Sequence, residues 1–293
     1  MLTRDELLTQ IHDFDLDAYA NLIMSGVKTA IHIRRERVDE SRLPLGASKL
    51  GGSPDVPADF TWPLYQNKPL TFMGQFRLSE VAPYDVDRRL PDQGMLYVFY
   101  DEEAQPWGFK LGEEEASRVL YTADENTPLH RFMHPTAKGT YGYVEALPAC
   151  SLTYFQIVTP QYSDDRLRDY EGASWDVIDR YFMFMSKVDE LQSSSRDKAA
   201  PSHWLLGNPL PVQGDPLVNA IRDHATSAGQ DLKTIDRWAS TEWCLLLQID
   251  TDDAPDQGLD VMWGDVGRLY FCMPKADLAA YYFANVRCVL QCT

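Results

Sequence analysis

Two glutamines set inside apolar runs are the polar residues best placed for chemistry: Gln75 in Phe72-Met73-Gly74-Gln75-Phe76 and Gln248 in Leu245-Leu246-Leu247-Gln248-Ile249. An amide in such a run must find partners, because leaving it unpaired costs about 1–3 kcal/mol. Either each glutamine bonds the backbone of a neighbouring loop and pins it, or the two face a shared cleft and hold a polar ligand. Lys49 and Trp62 join them as candidates for that cleft. Neither glutamine is a plausible nucleophile, and no catalytic residue is predicted.

Other clusters carry less. His130 and His134 are spaced for one face of a helix, where they could share a metal, but Pro128 and Pro135 flank them and no third ligand is suggested. Asp250, Asp252, Asp253, Asp256 and Asp260 resemble a calcium loop without its central glycine or terminal glutamate, so they read as a solvated acidic loop. Gly51-Gly52 opens no helix and is no phosphate cradle. Walker loops, nucleophile elbows, His-Glu-x-x-His and dinucleotide fingerprints are missing. Neither a metal nor a cofactor is expected.

The glutamines belong to a longer repeated frame. From Gln75 to Gly94 and from Gln248 to Gly267 the interval is the same, and Asp92, Leu96 and Tyr97 recur as Asp265, Leu269 and Tyr270. Tyr97 and Tyr270 read as core residues with bonded hydroxyls, and Asp92 and Asp265 as turn formers. Lys49-Leu50-Gly51-Gly52-Ser53-Pro54 is echoed by His203-Trp204-Leu205-Leu206-Gly207-Asn208-Pro209. The frame predicts two related halves with a cleft where they meet.

The elements that position these residues follow from pattern. Thr3 and Glu6 form a capping box for a helix over 3–25. Strands are expected at 27–33, 71–76, 94–100, 119–121, 140–146, 151–159, 242–249, 267–273 and 285–292. Residues 44–69 hold too many glycines and prolines for regular structure. Helices are expected at 166–191, apolar on two sides, at 215–228 behind Asp215 and Pro216, and at 276–283. Residues 193–198 read as an exposed linker. The result is an α+β fold, internally duplicated, with mainly antiparallel sheets. Its segments are 1–40, a first half at 41–160, a helical connector at 161–200 and a second half at 201–293, together forming one compact unit.

Twenty-seven basic against forty-four acidic residues give a net charge of −17 in 293 residues. That argues against nucleic acid and anionic membrane as partners. It permits a basic protein partner, with Glu113, Glu114, Glu115, Asp252 and Asp253 as docking candidates. The start of the chain shows no signal peptide and no window is apolar enough to span a bilayer, which points to the cytoplasm. Of five cysteines, Cys288 and Cys292 share an expected strand, where they stand about 13 Å apart. A disulfide needs roughly 7 Å between Cα atoms, so buried free thiols are expected.

Taken together, Lys49 to Pro54, Trp62-Pro63, Phe72 to Phe76, Gly94 to Phe99, Leu206 to Pro209, Gln213, Leu247-Gln248-Ile249 and Gly267 to Phe271 resemble the YwqG-like family of domains of unknown function. Ser53 and Asn208 depart from it, standing where the family often carries an aromatic. The resemblance implies a duplicated α+β fold and brings no activity, cofactor or catalytic residue. It also implies a toxin-associated setting, such as an immunity protein. The function expected is therefore a non-catalytic, acidic protein-binding protein; the alternative is a small-molecule binder or hydrolase with its site between the halves.

Overall fold

The apolar runs around Gln75 and Gln248 are strands, buried along nearly their whole length because layers cover both faces of the sheet that holds them. The structure, a computed structural model, describes residues 3–110, 112–133, 138–139, 142–143, 146–162, 167, 173–192, 201–228, 242–254 and 256–293. Ten strands form one sheet: β1 (Lys28–Arg37), β2 (Lys49–Leu50), β3 (Thr71–Arg77), β4 (Met95–Tyr100), β5 (Ser117–Thr122), β6 (Cys150–Thr159), β7 (Trp204–Leu206), β8 (Trp243–Asp250), β9 (Arg268–Pro274) and β10 (Arg287–Gln291). Their order is β10-β9-β8-β7-β1-β6-β2-β3-β4-β5, and every neighbouring pair is antiparallel. The expected α+β class with antiparallel sheets is what the chain adopts.

The long pair β1 and β6 lies at the centre, and four strands extend from it on each side. Both flanks carry an irregularity two residues before the glutamine, between Phe72 and Gly74 on β3 and between Leu245 and Leu247 on β8. Gln75 stands opposite Tyr97, and Gln248 opposite Tyr270.

Among the described residues, six helices cover the sheet: α1 (Arg4–Asp13), α2 (Ala20–Ser25), α3 (Leu78–Val81), α4 (Trp175–Gln192), α5 (Pro216–Ser227) and α6 (Lys275–Ala279). Thr3 and Glu6 form the capping box at α1. The helix expected over 3–25 is broken near Phe14, whose N–H caps α1, and resumes as a short 3-10 turn and α2. Helix α4 buries Val177, Tyr181, Phe184 and Val188 against α1, yet Trp175, Phe182 and Met183 are exposed, so it is not apolar-packed on two sides as expected.

Residues 44–69 differ most from expectation. Besides β2, they hold Asp55–Val56, paired with His130–Arg131, and the ribbon Leu64–Tyr65 with Lys68–Pro69. Two-residue strands show no periodicity, so breakers dominate the local pattern. Most of the strand expected over 140–146, and the linker at 193–198, lie outside the described residues. All five cysteines are buried and free.

Candidate functional site

Gln75 is fully buried and spends its amide on the Gly-Pro loop. Its Oε1 accepts the N–H of Asp55 at 2.7 Å, and its Nε2 donates to the carbonyl of Ala47 at 2.8 Å and to Asp55 Oδ2 at 3.0 Å. The Tyr97 hydroxyl donates to the Asp55 carbonyl at 2.9 Å. Gln248 repeats this: Oε1 accepts from Leu210 N at 2.9 Å, Nε2 donates to Ser202 O at 2.7 Å, and Tyr270 Oη donates to Leu210 O at 2.7 Å. Ala47 lies two residues before Lys49, the strand partner of Gln75, and Ser202 two before Trp204, the partner of Gln248. In both cases the loop residue bonded by glutamine and tyrosine follows that partner by six.

The loops share their backbone too. Gly51 and Gly52 have φ of +64° and +68°, Leu206 and Gly207 +64° and +74°. A Cβ on Gly51 would sit 2.1 Å from the Pro148 carbonyl oxygen, so glycine is required there for space as well as conformation.

Lys49 lies beneath that loop with no exposed surface. Its Nζ donates to Glu40 Oε1 at 3.0 Å and Asp55 Oδ2 at 3.1 Å, and Arg131 Nε donates to Asp55 Oδ1 at 2.9 Å. Burial pushes the Asp55 carboxyl up, but the Arg131 hydrogen bond, the Lys49 charge and the Gly46 N–H outweigh it and hold it below the usual range. Two cations and two carboxylates balance. Trp62 is buried edge-on against Phe99, and its indole N–H donates to the Leu70 carbonyl at 2.9 Å. The four cleft candidates therefore lie inside the fold, and Gln75 and Gln248 stand five strand steps apart in the sheet.

The docking candidates separate as well. Asp252 is only 3% exposed. It accepts from Arg35 Nε at 2.7 Å and from Leu259 N at 2.9 Å, and His203 Nε2 lies 3.8 Å away. Burial raises its carboxyl, and the Arg35 and His203 contacts more than reverse that, holding it far below the usual range. Asp252 is thus not a surface group. Asp260 and Asp250 also face arginines, Arg37 at 2.6 Å and Arg268 at 2.8 Å, so this loop is salt-bridged and not simply solvated. These arginine partners lie far away in the chain, or on the neighbouring strand, and no local pattern announces them. Asp253 is exposed. Glu113 caps a turn by accepting from the N–H groups of Gly108, Phe109 and Lys110. Beside it Glu114 is half-buried and accepts the Gly112 N–H at 2.6 Å, while Glu115 faces outward with a side chain 64% exposed. His130 lies on the short ribbon with its ring 5.8 Å from Phe132, and His134 lies outside the described residues.

A different feature collects binding groups. Strand β5, at one end of the sheet, and the 281–287 segment, which leads into β10 at the other end, line a groove of about 620 Å³. One wall is Glu114, Glu115 and Ser117 to Tyr121; the other is Tyr281 to Ala284 with Val286 and Arg287. Tyr281 and Tyr282 are exposed at its rim. Arg118 Nη2 lies 3.6 Å from Glu115, and Arg287 Nε 3.4 Å from the buried Asp223 of α5. Burial raises the Asp223 carboxyl to about 7, against the lowering charge of Arg287, with Glu114 and Glu113 adding to the rise. The groove draws on segments more than 150 residues apart. Of the residues picked out from the sequence, Glu114 and Glu115 line the groove; nothing in the sequence marks its opposite wall.

The family model described as a domain of unknown function, DUF1963, matches residues 48–292, which include all of the strands except β1. No curated protein matches the chain.

Proposed function

This chain belongs to the DUF1963 family, and we propose that it is a non-catalytic binding protein that docks a basic protein partner at the groove between the two ends of its sheet. The groove itself carries the reading. Its volume lies within the range of ligand-binding pockets. Its rim offers tyrosines, which anchor interfaces well because they bury large area with few rotors. Glu114 makes no ion pair among the described residues; its Oε2 accepts the Gly112 N–H at 2.6 Å, and its other oxygen is available to a cation. The net charge of −17 would steer such a partner from a distance.

A role in toxin immunity is the finer form of this reading and is supported only by the YwqG-like resemblance; a cytoplasmic setting belongs with it. We also read the two flanks of the sheet as copies of one half-structure, supported by the matched glutamine, tyrosine and loop geometry. The alternative of a shared glutamine cleft is not favoured by any contact of Gln75 or Gln248.

The test is capture from the native host with the intact chain and with a Glu114→Arg, Tyr282→Ala variant. A basic protein recovered stoichiometrically by the first, released by salt and lost by the second, is the expected result. Equal recovery by both, or no specific recovery, overturns the proposal.

A further inference from the structure

Strand β5 ends the sheet, and its lining of the groove has an unusual form. Ser117, Arg118, Val119, Leu120 and Tyr121 all line it, without the alternation that a strand face would show. A groove touching consecutive residues runs along the edge of the strand, not over one of its faces. What it meets there is backbone.

The phase of the ladder identifies which backbone groups these are. The N–H of Asp101 donates to the Ala116 carbonyl at 2.8 Å, across from it in the register that pairs Phe99 with Arg118 and Tyr97 with Leu120. In an antiparallel pair the bonded positions alternate. Arg118, Leu120 and Thr122 therefore point their N–H and C=O groups at β4, and Ser117, Val119 and Tyr121 point theirs away. Tyr121 is backed by the Phe283 ring at 5.4 Å. Ser117 and Val119 are each only 6% exposed; the outward Ser117 carbonyl accepts from Arg118 Nη1 at 3.0 Å, but among the described residues nothing pairs with the outward Ser117 N–H or with either outward group of Val119. Backbone groups so nearly buried ordinarily have partners.

We infer that β5 is a docking edge, and that a partner's extended segment adds to it as a further strand lying in the groove between β5 and β10. This rests on the binding reading above and specifies its mode. Strand addition draws affinity from main-chain hydrogen bonds and specificity from side-chain pockets. Here the apolar side chains of Leu120, Phe283 and Val286 and the tyrosine rim meet the guest side chains. Arg118 stands against Glu115 and Arg287 against Asp223, while Glu114 makes no ion pair among the described residues and, with one oxygen on the Gly112 N–H, keeps the other to pair with a lysine or arginine of the guest. The occupant is thus an extended peptide with apolar or β-branched residues and a basic residue near one end.

The experiment pans a displayed library of linear peptides, longer than the six residues of β5, against the intact chain at low salt. A selected peptide is then synthesised, and amide hydrogen exchange is followed residue by residue with and without it. The expected result is that exchange at Ser117 and Val119 slows at least about tenfold on binding, as new hydrogen bonds protect them, while Arg118 and Leu120 change little. Val119→Pro, which deletes one outward donor and leaves the β4 ladder intact, weakens the peptide by about tenfold, the worth of one good hydrogen bond. The exchange measurement stands even if that variant does not fold. A peptide that binds, and is lost on Tyr282→Ala, yet leaves Ser117 and Val119 exchange unchanged overturns strand addition and keeps the groove. Failure to select any peptide overturns both.

Discussion

Gln75 makes three hydrogen bonds and Gln248 two, and that difference sets what each loses on substitution. Replacing Gln75 with Leu strands the Asp55 N–H and the Ala47 carbonyl in the interior and weakens the hold on a buried carboxylate. At about 1–3 kcal/mol for each abandoned buried group, Gln75→Leu is expected to lower unfolding free energy by about 3 kcal/mol and Gln248→Leu by about 2 kcal/mol in urea titrations. Equal losses would show that the Asp55 contact adds nothing. Beneath Gln75, Asp55 and, on the other flank, Asp252 both have carboxyls held below their ordinary value of 3.8. For such a group the folded state binds fewer protons than the unfolded chain, so its stabilisation is present above pH 3.8 and is lost as pH falls below it. Asp252→Asn leaves Arg35 without its counter-charge, lowers stability near neutrality and flattens the acid limb of the curve. Thermal unfolding between pH 2 and pH 6 measures both.

At the scale of elements, α5 packs Asp223 against Arg287 of β10 and carries the opposite pH signature. The Asp223 carboxyl is raised from 3.8 to about 7, chiefly by burial. The folded chain keeps a proton there that the unfolded chain has released, so this contribution declines as pH rises from about 4 to about 7 and is level above. Asp223→Asn is expected to remove that slope and to raise relative stability at pH 8; a parallel decline in both proteins would count against it. Nothing local marks Asp223 as special, since its burial depends on a helix docking on a strand 64 residues later. The same physics governs what could be read from the sequence. Glutamines in apolar runs, the capping box at Thr3 and the long strands have local signatures and were legible. β2 and its neighbours in the Gly-Pro segment were not, because two residues cannot display a period. Asp252 looked like surface because Arg35, its partner, lies on the other flank of the chain order. The groove was invisible for a related reason: it is made by the two ends of the sheet order, and no pattern within either segment states that they meet.

For the molecule as a whole, the decisive feature is that the segment leading into β10, the last strand at one end of the ten-stranded sheet, packs against β5 at the other end. A strap that includes residues 101–110 and 112–116 ties the two ends together. Gln105 donates to the Met262 carbonyl at 3.0 Å and accepts from Gly264 N at 2.8 Å, and the Leu290 N–H of β10 donates to Trp107 O at 3.3 Å. Glu113 holds the strap's turn by accepting three backbone N–H groups. Gly108 sets its clearance: φ is +79°, and a Cβ there would lie 2.3 Å from the Cys288 carbonyl. Gly108→Ala must therefore push the strap off β10. The expected outcome is local, because the glutamine pins, the Lys49 cluster and the paired strands are untouched. Exchange of the Leu290 amide should quicken by at least about tenfold, with the β3 and β8 amides unchanged. If the groove depends on both ends being held, peptide affinity should fall in the same variant even though no residue lining the groove has changed. Quickened exchange with undiminished peptide binding would mean that the groove is formed by β5 and the 281–287 segment alone, and that the strap only shields the edge of β10.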